Sequence, residues 1–362
     1  MSKKLSFKVI RLPLSSRVVI GNKLLPKIDK IIDFSKYSQI ILIVDKNVLY
    51  LYTNILKSVF RRINKKVHIF PLVASEKNKS EKEADKVLFD ILSINPPVDR
   101  QTLVLTLGGG IVGDMAGYVA ARLLRGVDSI LIPTTLLAMV DSSLGGKTAV
   151  NYKYITNLIG LFYLPKVVIM DISCLKSLPI LQWKSGLAEL IKHGFLDPTL
   201  YSFLEKTNIH ELKAKSSYLI QALKLSTKYK MSIISQDFEE KTGIRKILNL
   251  GHTIGRALEA ATSLNHGQAV VLGLKATLIL SFKKKLITKY GFREMEKLIH
   301  KFSLSIQLKD LNEKIFWQAI LYDKKSVKGK PCFVLLKGVG KPVIDCCVEK
   351  QLIREVLKEI SK

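Results

Sequence analysis

Between residues 40 and 170 the chain alternates short, continuous apolar runs with longer segments whose apolar positions recur every three or four residues. The continuous runs are Ile40 to Val44, Lys66 to Phe70, Thr102 to Leu107, Ser129 to Ile132 and Val167 to Met170. Their length and β-branched or leucine content predict buried strands, and the segments between them predict helices. That alternation implies βαβ units and a Rossmann-like, mostly parallel sheet over residues 1–178. From Leu178-Pro179 onward the period is helical, and only Cys332 to Leu336 and Val343 to Val348 resemble strands. The expectation is an α/β domain over 1–178 followed by an all-helical domain over 179–362.

The run Thr102 to Leu107 ends on Gly108, Gly109 and Gly110, and Ile111, Val112, Gly113 and Asp114 then open an apolar helical segment. Strand, glycine turn and helix in that order can cradle an anion: glycine permits close approach and positive φ, and a helix N-terminus offers unpaired N–H groups to phosphate. The bland alternative is a tight left-handed turn. The glycine spacing is not GxGxxG, so context has to carry the argument. A second strand-like run leads into Pro133-Thr134-Thr135, then Asp141-Ser142-Ser143 and Gly145-Gly146-Lys147-Thr148. Lys147 lacks the GxxxxGK spacing of a Walker A loop and reads as a simple anion contact. Asp45-Lys46-Asn47 falls at the carboxyl end of a strand, where such sheets place ligands; Asp45 either accepts from a ribose hydroxyl or caps a helix. The segment Glu76 to Ser80 either reaches the same crevice or is a solvated charge run.

In the helical half, Glu189 and Lys192 share a face at i, i+3 in an otherwise apolar segment. Arg245, Asn249, His252 and Arg256 recur at three- and four-residue intervals as a polar stripe, and His266 in Asn265-His266-Gly267 precedes an apolar run where an imidazole needs a partner. One Glu and two His give zinc three protein ligands and leave a position open. Without HExxH, satisfied core or surface residues are the competing reading.

A chain of 362 residues with 48% hydrophobic content is long enough for two cores. Charged residues such as Arg122, Arg125 and Asp128 interrupt its most apolar region, so no membrane span is expected, and no secretory signal is evident. The four cysteines form no CxxC pair and are expected to be reduced thiols in a cytoplasmic protein. The net charge of +28 invites a nucleic-acid hypothesis. The lysines are spread along the chain without a recognition motif, so the favoured reading is a lysine-biased surface that steers an anionic substrate.

The segments GGGIVGDMAGYVAARLLRGVD, PTTLLAMVDSSLGGKTAVN, GLAELIKHG, RKILNLGHTIG and NHGQAVVLG together closely resemble the 3-dehydroquinate synthase family in order and separation, from Asp45 to the DKKS segment at 323–326. The resemblance implies an N-terminal NAD-binding domain, a C-terminal helical domain, a homodimer and a divalent metal, zinc or cobalt. It implies conversion of the sugar phosphate 3-deoxy-D-arabino-heptulosonate 7-phosphate to 3-dehydroquinate and phosphate, with NAD used but not consumed. Carried over by motif, the metal ligands are Glu189, His252 and His266. The NAD site takes Asp45, Asn47, the Ala74-Ser75-Glu76-Lys77-Asn78-Lys79 segment, Gly109 to Asp114, Thr134, Thr135, Thr156 and the Cys174-Leu175-Lys176-Ser177 turn, with Lys147 between cofactor and substrate. Asp141, Lys147, Asn157, Lys192, Lys230, Arg245, Asn249, Lys324 and Lys325 are assigned to the substrate, and Arg125 to the partner subunit's phosphate pocket.

Three positions depart from the family pattern. Arg256 stands where a second histidine is usual, Thr156 where a lysine is usual, and Ala74-Ser75 replaces an aspartate-glycine pair. Arginine binds phosphate but does not act as a neutral proton carrier near pH 7. Competing readings are a related sugar-phosphate cyclase, a metal- and NAD-dependent polyol dehydrogenase that releases NADH stoichiometrically, and a nucleic-acid-binding protein with salt-dependent affinity.

Overall fold

The computed structural model describes residues 7–11, 16–153, 155–304, 306–322 and 331–361. The chain divides into two compact units, 1–178 and 179–362.

The first unit carries β1 (Phe7–Arg11), β2 (Arg17–Gly21), β3 (Gln39–Asp45), β4 (Lys66–Leu72), β5 (Leu103–Gly108), β6 (Ser129–Pro133), β7 (Lys147–Tyr152), β8 (Ile155–Phe162) and β9 (Val167–Asp171). Seven of these form one sheet in the order β1-β2-β9-β6-β5-β3-β4. All of its pairings are parallel except that of β1 with β2. The five continuous apolar runs are five of these strands. β3 is buried along its whole length, as a strand covered on both faces must be. Its period of two divides the core: Ile40, Leu42 and Val44 pack on the side of Leu56 and Val59 from α1 (Lys46–Ile63). Ile41 and Ile43 pack on the opposite side, with Ala84 and Val87 of α2 (Glu81–Leu92) and Met115 and Val119 of α3 (Gly110–Arg122).

After β3 the chain moves outward to β4 and returns to β5 on the other side of β3. Such a reversal opens a crevice at the carboxyl ends of the two central strands, where α/β sheets bind ligands. Asp45 closes β3 and Gly108 closes β5, so both flank that switch point. The sequence pattern did not disclose β1, β2 or the antiparallel hairpin β7–β8, which begins at Lys147.

The second unit contains α4 (Ile180–Leu196), α5 (Pro198–Glu205), α6 (Ile209–Ala214), α7 (Ser216–Gln236), α8 (His252–Ala261), α9 (His266–Lys283), α10 (Lys289–Lys301), α11 (Glu313–Tyr322), β10 (Cys332–Leu336), β11 (Pro342–Cys347) and α12 (Lys350–Ile360). It is therefore not all-helical: the two strand-like runs pair antiparallel. α9 is apolar on nearly every face because it runs through the middle, packed by α4, α8, α10, α12 and β10. A reciprocal capping box between Asn265 and Gln268 starts it and fixes the orientation of His266 at its first position. Among the described residues no helix is long and apolar enough to cross a membrane.

Candidate functional site

The second unit brings Glu189 of α4, His252 of α8 and His266 of α9 together, with one ligand atom from each lying within 4.8 Å of the others. Glu189 is fully buried, and its Oε1 receives both imidazoles, His266 Nε2 at 3.2 Å and His252 Nε2 at 3.4 Å. The Lys192 ammonium, one turn along α4, lies 2.5 Å from Oε2. Burial pushes the Glu189 carboxyl up, but the Lys192 ammonium beside it prevails and holds it well below the usual carboxylate range. It is ionised.

The tautomer of His252 follows from its neighbours. Nδ1 lies 3.1 Å from the Leu250 carbonyl, which can only accept, so Nδ1 carries the hydrogen. Burial and the charge of Lys192 lower the His252 pKa, leaving the ring neutral with its Nε2 lone pair facing a carboxylate oxygen. Two acceptors face each other there. A divalent cation among the three groups relieves this opposition, so the residues present fit a metal of the imidazole- and carboxylate-binding kind. At His266, Nδ1 lies 3.2 Å from Glu259 Oε2. Burial opposes the His266 cation, yet the bonds to Glu189 and Glu259 outweigh it and hold the pKa at about 10; a metal held here would take the place of that proton.

Glu259 is the contributor that sequence reasoning missed. It sits seven residues after His252 on α8, two turns along the same face, and an i, i+4, i+7 polar series with Arg256 was its only signal. A carboxylate on the far nitrogen of a ligating histidine fixes tautomer and ring orientation. Glu259→Ala is expected to weaken zinc binding about 10- to 100-fold, measured by chelator competition. Wild-type affinity in that variant contradicts an orienting role.

The polar stripe is not one helix. Arg245 and Asn249 lie in a 3₁₀ turn, Ile244–Asn249, which ends at Leu250 and Gly251 before α8 begins. Gly251, at φ +77°, makes the break that a helical period cannot reveal. Arg245 is buried, and its guanidinium donates to the Phe238 carbonyl at 2.6 Å. Asn249 is half-buried at the end of the turn, Lys230 is buried on α7, and Arg256 is exposed one turn after His252. Lys324 and Lys325 lie outside the described residues.

In the first unit, Asp45 caps α1, accepting from the backbone of Asn47 and Val48, so the capping reading holds for the side chain as it stands. Asn47 is exposed on the first turn. Gly109 is the N-cap of α3 with Gly110 at its first position. None of Gly108, Gly109, Gly110 and Gly113 has positive φ, which corrects both the cradle and the left-handed-turn expectations on that point. Steric room explains two of them: a Cβ at Gly108 meets Val112 Cβ at 2.8 Å, and one at Gly110 meets Ser142 Oγ at 2.9 Å. Positive φ occurs instead in the second glycine turn, at Gly145 and Gly146, directly before the exposed Lys147. Thr134 is buried behind β6, Thr135 Oγ1 accepts from the Ala138 amide, and Asp141 lies in the π-helical turn Ala138–Ser142.

A polar network joins several assigned residues. The buried Lys79 ammonium donates to Asp114 Oδ2 and to Asn157 Oδ1, each at 2.5 Å. Burial raises the Asp114 pKa to about 6 against the pull of Lys79. Asn151, which sequence reasoning passed over, donates to Glu76 at 2.9 Å and accepts from the Asn157 amide at 2.9 Å. Asn157 itself has φ +54°. Around this network Ala74, Lys77 and Thr156 are exposed, Ser75 and Asn78 half-buried, and Ile111 and Val112 lie in the first turn of α3. The Cys174–Ser177 turn is capped by Asp171 and has Cys174 and Leu175 buried, Lys176 and Ser177 exposed. Arg125 is exposed, at φ +64°.

Solved structures of cyclases and of alcohol and glycerol dehydrogenases alike share this fold. A solved structure of 2-deoxy-scyllo-inosose synthase, complexed with carbaglucose-6-phosphate, NAD+ and Co2+, superposes with a TM-score of 0.86 at 26% identity, covering 98% of this chain and 100% of that one. A glycerol dehydrogenase from Schizosaccharomyces pombe shares the fold at TM-score 0.62 and 17% identity, over 99% of this chain and 91% of that one. Sequence separates the two. Family models for the N-terminal and C-terminal parts of 3-dehydroquinate synthase match residues 69–185 and 186–326. The 3-dehydroquinate synthase of Desulforamulus reducens is 37% identical over 89% of this chain and 90% of its own length. That of Pelagibacter ubique is 36% identical over 95% and 96%. The chain belongs to the 3-dehydroquinate synthase family.

Proposed function

We propose that the protein converts 3-deoxy-D-arabino-heptulosonate 7-phosphate to 3-dehydroquinate and phosphate, with NAD in the first unit and a divalent metal, zinc or cobalt, in the second. The observation that carries the reading is the convergence of Glu189, His252 and His266, with one ligand atom from each within 4.8 Å of the others and both imidazoles on the same Glu189 oxygen. When bound, NAD accepts and returns a hydride, and the metal polarises the hydroxyl being oxidised. The remaining work belongs to side chains. Lys192 stays beside Glu189 and offers its ammonium to the substrate's anionic groups, with Lys230 and Arg245, both buried, as further fixed cations. Holding both charged ends sets the geometry for phosphate loss and carbocycle closure. In the first unit Lys79 holds Asp114 and Asn157 in place beside the glycine-led α3, whose N-terminus supplies N–H groups to the cofactor's phosphates.

Two further assignments belong to this reading: a cytoplasmic homodimer, and Arg125 serving the partner subunit's phosphate pocket. Supporting the dimer, the β7–β8 hairpin exposes Tyr152, Ile155, Leu158, Leu161 and Phe162, more apolar surface than a solvated hairpin carries. Supporting the role of Arg125, Leu124, Arg125 and Gly126 hold three consecutive positive φ values, strain that tends to gather at functional positions.

A related cyclase reaction on a hexose phosphate is the second reading, favoured by cyclase structures at 26% and 27% identity. Phosphate release from heptulosonate phosphate, with none from glucose 6-phosphate, is the expected outcome, and the reverse selectivity overturns the proposal. Arg256 lies one turn after His252, and its charge helps to lower that ring's pKa. Arg256→Ala is expected to raise KM and slow phosphate release, and Arg256→His to recover much of the activity. Wild-type kinetics in Arg256→Ala places the residue outside the reaction.

A further inference from the structure

The hairpin β10–β11 holds a pair of thiols with no part in the reaction above. Cys332 on β10 and Cys347 on β11 are direct cross-strand partners, and their Sγ atoms are 3.2 Å apart. The amide of Val348 donates to the Pro331 carbonyl, the neighbouring position on the ladder. Hydrogen-bonded and non-bonded pairs alternate along an antiparallel ladder, so Cys332 and Cys347 occupy a non-bonded pair. Such pairs bring the Cα atoms to about 4.5 Å, inside the 4.4–6.8 Å window that a disulfide spans. Their exposures differ: Cys332 is 2% exposed, whereas Cys347 is open to solvent. None of the four cysteines is joined in a disulfide.

We propose that Cys332 and Cys347 form a reversible disulfide, with Cys347 as the attacking thiol and Cys332 as the resolving one. The oxidant is a low-molecular-weight disulfide such as glutathione disulfide. Cys347 gives up its proton and its thiolate attacks one oxidant sulfur; that S–S bond breaks, and the first small thiol leaves with the proton. Cys332 then loses its proton and attacks Cys347 Sγ, and the second small thiol departs. Two protein thiols are oxidised and one small disulfide is reduced to two thiols. The adjacent Cys346 does not compete, because successive residues of a strand point to opposite faces and its cross-strand partner is Phe333, and burial raises its pKa. Strand register, rather than adjacency in sequence, pairs Cys347 with Cys332.

The site of this bond gives it a consequence. The Cys332 carbonyl faces Thr253 Oγ1 at 3.5 Å, next to His252, and Lys246 of the 3₁₀ turn carrying Arg245 pairs with Asp345 of β11 at 3.0 Å. A covalent clasp here fixes a hairpin already braced against both segments.

The full-length protein is titrated with glutathione disulfide, its free thiols are counted, and the linked peptides are mapped by mass spectrometry. The expected result is loss of two of the four thiols, a Cys332–Cys347 cross-link, and recovery of both on reduction. Cys332→Ser is expected to accumulate a stable glutathione adduct on Cys347, and Cys347→Ser to form no cross-link, while Cys346→Ser behaves as the parent. Four free thiols after equilibration, a lasting adduct on the parent chain, or a cross-link through Cys346 each overturn the proposal.

Discussion

Replacing Glu189 or His252 with alanine is expected to abolish bound metal and turnover together. In the proposed site each is one of three protein ligands, and removing one leaves too few to hold the ion in an open site. Lewis-acid polarisation contributes several kcal/mol to such reactions, and at 1.36 kcal/mol per tenfold this corresponds to about three orders of magnitude in rate. Glu189→Ala has a second effect, because it removes the carboxylate 2.5 Å from the buried Lys192 ammonium. That variant is therefore expected to lose thermal stability as well, whereas His252→Ala loses metal with a smaller change. Metal content by elemental analysis and Tm by calorimetry separate the two. A Glu189→Ala protein that retains one zinc per chain at full turnover removes Glu189 from the ligand set.

Gly273→Ala is expected to damage the second unit most among small substitutions. A Cβ at Gly273 falls 2.0 Å from the Gly251 carbonyl oxygen and 2.9 Å from the Gly255 amide nitrogen, so backbone rather than a flexible side chain has to move. Overpacking of this kind costs about 1–3 kcal/mol and sometimes more. The displaced backbone leads directly into His252, so zinc affinity is expected to fall with Tm. Gly291→Ala is the control, since its nearest neighbour is Thr288 Oγ1 at 3.5 Å, and removing a helical glycine gains about 0.5–1 kcal/mol. If Gly273→Ala melts with the parent protein, the close crossing of α8 and α9 does not limit stability.

What the sequence discloses depends on how strongly burial constrains it. β3 and β5 are covered on both faces, so an unbroken apolar run is their only workable composition and it marks them plainly. β8 is exposed along most of its length, and no pattern distinguished it from a loop. Glycines were legible as special positions, but not the reason for it: those at 108 and 110 give steric room, whereas those at 146 and 251 supply positive φ. Spacing alone left the metal reading open, because Glu189, His252 and His266 are far apart in sequence and only the packing of α4, α8 and α9 makes them neighbours. Family resemblance bridged that gap where periodicity did not. Glu259 stayed hidden because a carboxylate on a helix looks like any solvated charge until its histidine partner is placed. The same limit applied to Cys347, whose partner is set by strand register.

The central claim is that this chain uses a nucleotide hydride carrier without consuming it while expelling phosphate from a seven-carbon sugar acid. Purified protein with zinc, a catalytic amount of NAD+ and 3-deoxy-D-arabino-heptulosonate 7-phosphate tests this directly, with inorganic phosphate and absorbance at the NADH band followed in the same cuvette. The account predicts many equivalents of phosphate per NAD+ with no lasting NADH. Stoichiometric NADH without phosphate contradicts it and makes the protein a dehydrogenase.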